Sequence, residues 1–308
     1  MNLRHVSLIA SYSARFSVRG GIGLVFLLLS LTFGLLVAHL MMQPVEMVVQ
    51  EVTSRHKTES SRADMTKDVL DEVTRRTKPV VSWVLSTKKK QSVSDADPEA
   101  DRWAAFLLDE RPAMLSAIFL ILLVGWPFIV SFGAFDLYAG DIGSRQLRYQ
   151  LLRVDRGSIY FGRLLGMLIT FLAVLLLLGV TVTGYMGIKL PMYSWGALIG
   201  WASYGTAAMV CVSLPYIALC AWISASVAGP FTSLTINSLV IGGVPLFATL
   251  GKLSHEYAGY ALYALPWGFQ TRLFHHEPAQ VGLAVAGCLL QTALFLWLGW
   301  RKFTTRDL

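Results

Sequence analysis

Charged residues and cysteines are both scarce in this chain of 308 residues. Only 15% of the residues are Asp, Glu, Lys or Arg, whereas a soluble domain carries about 25%. Hydrophobic residues make up 55% of the chain and occur in long blocks. The three cysteines, Cys211, Cys220 and Cys288, lie in apolar runs and form no CxxC pair. The composition therefore excludes a cytosolic enzyme, a disordered chain and a secreted disulfide scaffold.

The motifs of common catalytic and nucleotide-binding sites are also missing. The sequence has no GxxxxGK[ST] phosphate loop, no dinucleotide-binding glycine fingerprint, and no GxSxG or HExxH motif. His275, His276 and Glu277 are the one cluster of metal-ligand residue types, but adjacent residues on a helix point apart. We interpret this cluster as a polar patch at the membrane interface. We predict no catalytic residue, metal or cofactor on this chain, which is not expected to be an enzyme.

Six apolar runs are long enough to be transmembrane helices. A helix needs about 20 mostly apolar residues to cross roughly 30 Å of hydrocarbon. The predicted spans cover residues 21–42, 113–138, 161–187, 195–226, 231–251 and 281–300. No strand-like alternation competes with these runs, so a β-barrel is disfavoured. The sequence predicts an all-α membrane protein in which residues 1–308 form a single transmembrane domain.

The positions of the basic residues predict the orientation of the spans. Residues 43–112 carry 12 Lys/Arg and 13 Asp/Glu, so the net charge of +7 arises elsewhere. Eleven of the 14 basic residues outside that segment flank the spans in three places: Arg4, Arg15 and Arg19; Arg145, Arg148, Arg153, Arg156 and Arg163; Arg301, Lys302 and Arg306. Because Lys and Arg stay on the cytoplasmic side, these three segments and both termini are predicted to face the cytoplasm. This distribution does not favour a nucleic-acid partner.

Two segments near the first span are predicted to be helical. Apolar residues recur at helical spacing before that span, with arginines between them: Leu3, Val6, Ile9, Tyr12 and Phe16. This pattern is typical of an amphipathic helix in the cytoplasmic interface. Residues 43–112 are predicted to form a helical extracytoplasmic insert, which is small enough to require packing against a second copy or a neighbouring protein.

A further segment, 252–280, is rich in tyrosine and tryptophan. Pro266 and Gly268 interrupt any single helix there, and such aromatic side chains prefer the membrane–water boundary. We expect one or two short helices in the outer interface. Inside the spans, Asn237 and Gln291 are the clearest polar groups, and each is either a contact between helices or a substrate ligand.

The connection between the second and third spans, residues 139–160, is the most informative stretch. Leu147, Leu151 and Val154 recur at helical spacing among arginines, which predicts a short amphipathic helix at the inner surface. One interpretation is contact with anionic lipid headgroups, at about 1 kcal/mol for each basic residue. The other is a docking element for a cytoplasmic motor, because a helix held between two spans can transmit a push into the membrane.

At this point the chain resembles the type-2 ATP-binding-cassette (ABC) permeases. Their connection runs from an acid through Gly-Thr-Leu, a Leu-Leu pair and a Pro-x-Ser-Arg turn to Leu-Gly-Lys. The residues that match are Asp141, Leu147, Leu151, Leu152, Arg156 and the run Gly162-Arg163-Leu164-Leu165. The ending Phe303-Thr304-Thr305-Arg306-Asp307-Leu308 resembles the family's Phe-x-x-Arg-Asp-Leu tail. Arg145-Gln146 stands where the family has Gly-Thr, Val154 replaces its proline, and residues 43–112 fall outside the pattern.

The resemblance implies a permease subunit in a bacterial cytoplasmic (inner) membrane. Two copies, or this chain and a paralogous permease, would line the pathway, and a separate ATPase subunit holding ATP and Mg would dock on the connection. Residues assigned to ATPase coupling are Asp141, Arg145, Arg148, Leu151, Leu152, Arg156 and Arg163. Candidates for the dimer seam or pathway are Asn237, Gly242, Gly243 and Pro245. The expected role is ATP-driven transport, most often export.

Other interpretations of the chain stay open from the sequence. One is a membrane scaffold that recruits envelope partners through residues 43–112, and the other is an intramembrane enzyme. The enzyme is disfavoured because no paired catalytic groups are found at membrane depth. The motifs Gly162-x-x-x-Gly166 and Gly196-x-x-x-Gly200 are both compatible with close helix packing. No charged ring identifies a substrate, and a lipid, a peptide or a small amphipathic molecule fits the apolar spans equally.

Overall fold

The computed structural model describes residues 3–19, 21–55, 74–75, 78, 81, 98–190, 193–251 and 256–306. These residues form helices and their connecting turns, and no β-strand occurs among them. Six of the helices are long and apolar enough to cross a membrane. The prediction of an all-α, multi-pass membrane protein with six spans is thereby confirmed.

Eleven α-helices have both ends among the described residues, and residues 74–75, 78 and 81 are also helical. In chain order, α1 to α6 are Leu3–Arg19, Ile22–Arg55, Pro98–Leu108, Ala113–Ala134, Ala139–Gly143 and Gln146–Leu151. Helices α7 to α11 are Arg156–Lys189, Trp195–Ser226, Pro230–Gly251, Trp267–Gln270 and Pro278–Thr305. Two 3₁₀ helices, Glu256–Ala264 and Thr271–Phe274, flank α10. The six long helices are α2, α4, α7, α8, α9 and α11.

Two of the long helices extend well beyond the predicted spans. Helix α2 continues to Arg55 although its apolar run ends near residue 42, and α7 begins at Arg156 instead of residue 161. A helix of 34 residues is about 51 Å long, against roughly 30 Å of hydrocarbon. The first part of the predicted insert 43–112 is therefore a continuation of α2. Residues 56–73, 76–77, 79–80 and 82–97 of that insert lie outside the described residues.

A capping residue explains the early start of α7. The Asp155 carboxylate accepts hydrogen bonds from the Ser158 hydroxyl at 2.7 Å and from the Ser158 backbone N–H at 3.0 Å. These bonds lower the pKa of the Asp155 carboxyl from its ordinary value, because they stabilise the charged form. An aspartate in this position satisfies a free N–H group in the first turn of the helix. Polar residues thus begin the helix before its apolar stretch begins.

The six long helices differ greatly in burial. Helices α4 and α9 have the same length of 22 residues, but 17 residues of α4 are buried and only four of α9. Helix α4 is therefore central and packs against α2 and α8, while α9 lies at the periphery. Most of the apolar surface of α9 is left for lipid or for another chain.

The segment between α9 and α11 folds back into the bundle. The Trp267 indole donates to the Ile241 carbonyl at 3.0 Å, and the Gln291 amide donates to the Tyr263 carbonyl at 2.8 Å. Ile241 and Gln291 both lie near the middle of their helices, so the segment reaches well beyond the ends of α9 and α11. Gln291 thus connects α11 to the 3₁₀ helix Glu256–Ala264. Residues 252–255 of the predicted segment 252–280 lie outside the described residues, and its place in the outer interface stays a prediction.

Helix α3 joins the bundle at the end where α4 and α8 begin. The Trp103 indole donates to the Phe274 carbonyl at 2.7 Å. The guanidinium of Arg111 lies 5.1 Å from the ring centres of both Phe106 and Trp201. These contacts fix α3, the last helix of the predicted insert, against the start of α8 and against the segment between α9 and α11.

Candidate functional site

The connection between α4 and α7 contains two short helices, α5 and α6, and not the single amphipathic helix that was predicted. The break falls at Arg145, which has a φ of 59° in the left-handed region. Glycine adopts this conformation most readily, so an arginine at this position is unusual. Leu147 in α6 is buried, while Leu151 at the end of α6 and Val154 after it are half-buried against the core.

Helix α5 is fastened to the end of α8. The backbone N–H groups of Tyr138 and Ala139 donate to the Ser224 hydroxyl at 2.9 and 3.0 Å. At the other end of α5, a Cβ atom added to Gly143 would lie 2.2 Å from the carbonyl oxygen of Ala228. Only glycine permits this close approach of the two backbones. The start of α5 is therefore held by the end of α8, and the end of α5 by the segment that joins α8 to α9.

Arg163 connects four parts of the site. Its guanidinium forms an ion pair with Asp141 in α5 and donates to the Gln150 side chain in α6 at 2.9 Å. It also donates to the Leu137 carbonyl after α4 at 3.2 Å. The two charged side chains are 15% and 25% exposed, so the pair is largely shielded from water. The structure thus brings together two residues, Asp141 and Arg163, that the sequence assigned to the same site.

Arg156 occupies a different position from the other arginines. Its guanidinium donates to the carbonyls of Phe303, Thr304 and Arg306 at 3.4, 2.6 and 3.0 Å. Arg306 in turn donates to the Ala225 carbonyl at 2.9 Å, at the end of α8. Arg156 therefore holds the C-terminal segment against the bundle, and its predicted contact with an ATPase stays a prediction.

The outer surface of the connection is both basic and apolar. Arg145, Arg148 and Arg153 are exposed, and no ion-pair partner is found for them among the described residues. Two large side chains stand beside them, Tyr149 at 74% exposure and Leu152 at 82%. Arginine and tyrosine are enriched at protein contacts, so this surface is suited to bind another protein.

The polar cluster near α11 is assembled differently from a metal site. The His275 and His276 rings stack at 4.4 Å, and His275 Nε2 lies 3.5 Å from a carboxylate oxygen of Glu99. Among the described residues, no group of three or more His, Cys, Asp or Glu side chains is arranged to hold a metal ion. The cysteines are free thiols.

The candidates for the dimer seam or pathway lie on the sparsely buried helix α9. Asn237 is fully buried, and its amide donates to the Ser233 hydroxyl at 3.4 Å, while its Oδ1 accepts no hydrogen bond in the described part of the chain. A Cβ on Gly242 would lie 3.3 Å from the Phe128 ring, and Pro245 is inside the helix. Their role at a seam or pathway stays a prediction.

Several residues of the site were not found by sequence reasoning. Ser224, Gln150 and Leu137 take part through contacts between distant parts of the chain, such as the 86 residues between Ser224 and Tyr138. No local pattern signals such a contact. Neither a protein-family model nor a curated protein sequence matches the chain.

Proposed function

We propose that this chain is the membrane-spanning permease subunit of an ATP-driven transporter of the type-2 ABC class. In this proposal both termini and the connection between α4 and α7 face the cytoplasm of a bacterial cell. The basic residues at that end of the bundle support this orientation. A separate ATPase subunit binds the connection, and a second copy or a paralogous permease completes the pathway.

The rigid attachment of the connection is the observation that carries the proposal. A motor that pushes on a surface loop moves only the loop, whereas a push on an element bonded to several helices moves those helices. Helices α5 and α6 are bonded to α7 through Arg163 and to the end of α8 through Ser224. Because the segment after α11 is also joined to α8 there by Arg306, a force on α5 and α6 is transmitted to α7, α8 and α11.

The outer face of the connection supplies a surface for the ATPase. Three arginines surround Tyr149 and Leu152, and none of these five side chains is needed for the attachments to α7 and α8. The absence of a phosphate loop from the sequence supports a division of labour in which ATP and Mg belong to the partner. Transport in the export direction is the family's usual role and forms part of the proposal.

The decisive test is capture of the ATPase. The full chain is purified in mild detergent from its native membrane through an affinity tag, as wild type and as the triple variant Arg145→Glu, Arg148→Glu and Arg153→Glu. We expect the wild type to retain a nucleoside triphosphatase and the variant to retain at least tenfold less, because reversed charges disturb complementary contacts. The amount of bound ATPase is measured by quantitative mass spectrometry and by ATP hydrolysis.

A matched control separates loss of docking from loss of structure. Arg102→Glu reverses another exposed arginine at the opposite end of the bundle, on α3, and is expected to retain the ATPase. All variants are compared by size-exclusion profile and thermal midpoint. Retention of the ATPase by the triple variant would contradict the docking surface. Capture of envelope proteins without any ATPase would instead support the membrane scaffold.

A further inference from the structure

A cavity of 540 Å³ lies between α1 and the connection that contains α5 and α6. Its volume falls within the roughly 300–1,000 Å³ of sites for small organic ligands. One wall comes from α1 and is mostly apolar, and the opposite wall comes from the connection between α4 and α7 and from the start of α7 and is mostly polar. The cavity is therefore suited to an amphiphile.

The apolar wall is a stripe that the fold leaves uncovered. Leu8, Tyr12 and Phe16 are spaced four residues apart, line the cavity, and are 67%, 70% and 62% exposed. The opposite side of α1, through Val6 and Ala10, packs against α7. The stripe is thus not the face that holds α1 in place, and it offers a surface for an acyl chain that runs along the helix.

The polar wall carries four charged side chains of balanced sign. Asp141 and Arg163 neutralise each other in their ion pair. Asp136 accepts a hydrogen bond from the Gly140 N–H at 2.7 Å, and no cation forms an ion pair with it in the described part of the chain. Arg153 is exposed. The cavity therefore presents one carboxylate and one guanidinium to a ligand.

We propose that this cavity binds the headgroup of an aminophospholipid, phosphatidylethanolamine. Its phosphate pairs with Arg153, its primary ammonium donates to the Asp136 carboxylate, and one acyl chain follows Leu8, Tyr12 and Phe16. A primary ammonium has N–H donors for this carboxylate, which the quaternary ammonium of phosphatidylcholine lacks. A headgroup that carries only negative charge would leave Asp136 facing an anion. The bound lipid would bridge α1 and the connection, and this inference does not depend on the docking of an ATPase.

The test measures lipid binding to the purified full chain, without any ATPase present. Delipidated protein in detergent is titrated with dioleoyl-phosphatidylethanolamine, -phosphatidylcholine or -phosphatidylglycerol, and bound lipid is counted by native mass spectrometry. We expect phosphatidylethanolamine to bind at least fivefold more tightly than either of the others. Equal binding of the three lipids, or a preference for phosphatidylglycerol, would overturn the proposal.

Two variants and a control identify the site. Asp136→Asn keeps an oxygen that accepts the Gly140 N–H, so the fold is preserved while the charge is lost. This variant is expected to bind phosphatidylethanolamine only as well as phosphatidylcholine, and Arg153→Gln to weaken the binding of all three lipids at least fivefold. Arg145→Gln removes an exposed arginine that does not line the cavity and is expected to change nothing. Unchanged lipid preference in Asp136→Asn would refute the assignment.

Discussion

Arg163 is the side chain on which the geometry of the candidate site depends most directly. Replacing it with glutamine removes the ion pair and leaves the Asp141 carboxylate, which is only 25% exposed, without its cation. Loss of one partner from a fully buried pair costs about 3–5 kcal/mol, and partial exposure reduces this, so we expect a loss on the order of 2 kcal/mol. The measurement is the thermal midpoint of the purified chain in detergent.

Arg148→Gln is the matched control for this prediction. Arg148 belongs to the same connection, but it is exposed and makes no ion pair within the described residues. Exposed substitutions of this kind usually change stability by less than about 0.5 kcal/mol. Equal midpoints for Arg163→Gln and Arg148→Gln would show that Arg163 does not hold α5 and α6 to α7.

His275 gives the fold a predicted dependence on pH. Burial and the neighbouring His276 lower the pKa of His275 below its ordinary value of 6.5, although Glu277 and Glu99 oppose this shift. The unfolded chain therefore binds a proton at higher pH than the folded chain does. Where the unfolded chain holds more protons than the folded chain, lowering the pH favours unfolding. The free energy of unfolding is therefore expected to decrease as the pH falls below about 6.5.

The variant His275→Asn tests this expectation. The asparagine oxygen replaces His275 Nδ1, which accepts the Glu277 N–H at 3.1 Å, and it does not titrate. The thermal midpoint measured between pH 7.5 and pH 5 should decline more steeply for the wild type than for the variant. Parallel declines would rule out His275 as the source of the dependence.

At the scale of the helices, two similar glycine motifs have opposite surroundings. A Cβ atom on Gly166 would lie 2.7 Å from the carbonyl oxygen of Ala10, whereas a Cβ on Gly200 would meet nothing within 4 Å. Gly166→Ala is therefore expected to destabilise the packing of α1 on α7 by about 1–3 kcal/mol. Gly200→Ala is expected to stabilise α8 by about 0.5–1 kcal/mol, because alanine restricts the unfolded chain.

The two alanine variants are compared by thermal midpoint and by the rate at which a protease cleaves α1. Gly166→Ala should lower the midpoint and expose α1, while Gly200→Ala should raise the midpoint without affecting α1. A rise in the midpoint for both variants would mean that α1 is not packed tightly against Gly166. Sequence alone does not distinguish the two motifs, since each is a pair of glycines four residues apart in an apolar run.

Features of the fold that have a local cause could be predicted from the sequence, and features that depend on tertiary contacts could not. The spans were predictable because a continuous apolar run is a property of the neighbouring residues, and α8 begins and ends where it was predicted, at Trp195 and Ser226. The early start of α7 follows from the Asp155 cap, which a hydropathy count ignores. The division of the connection at Arg145 was not predictable from apolar spacing, because it depends on one left-handed residue. The hydrogen bonds from the Tyr138 and Ala139 N–H groups to the Ser224 hydroxyl depend on tertiary packing alone.

At the scale of the whole molecule, the contacts separate the bundle into two ends. One end joins the connection, the C-terminal segment and the end of α8 through Arg156, Arg163 and Arg306. At the other end, α3 contacts the segment between α9 and α11 through Trp103, and Arg111 contacts the start of α8. The predicted cytoplasmic segments all belong to the first end. In the proposed function, the first end contacts the ATPase and the other end lies outside the cell.

This separation leads to a topology prediction. Helix α4 has 22 residues and is about 33 Å long, so residues that flank it lie on opposite sides of a bilayer. Glu110 precedes α4 and Arg145 follows it, and both are exposed. In intact cells a membrane-impermeant maleimide is expected to label Glu110→Cys, and to label Arg145→Cys only after permeabilisation. The unsubstituted chain, whose three cysteines are buried or half-buried, gives the background. Labelling of Arg145→Cys in intact cells would place the connection outside the cell, where no cytoplasmic ATPase reaches it.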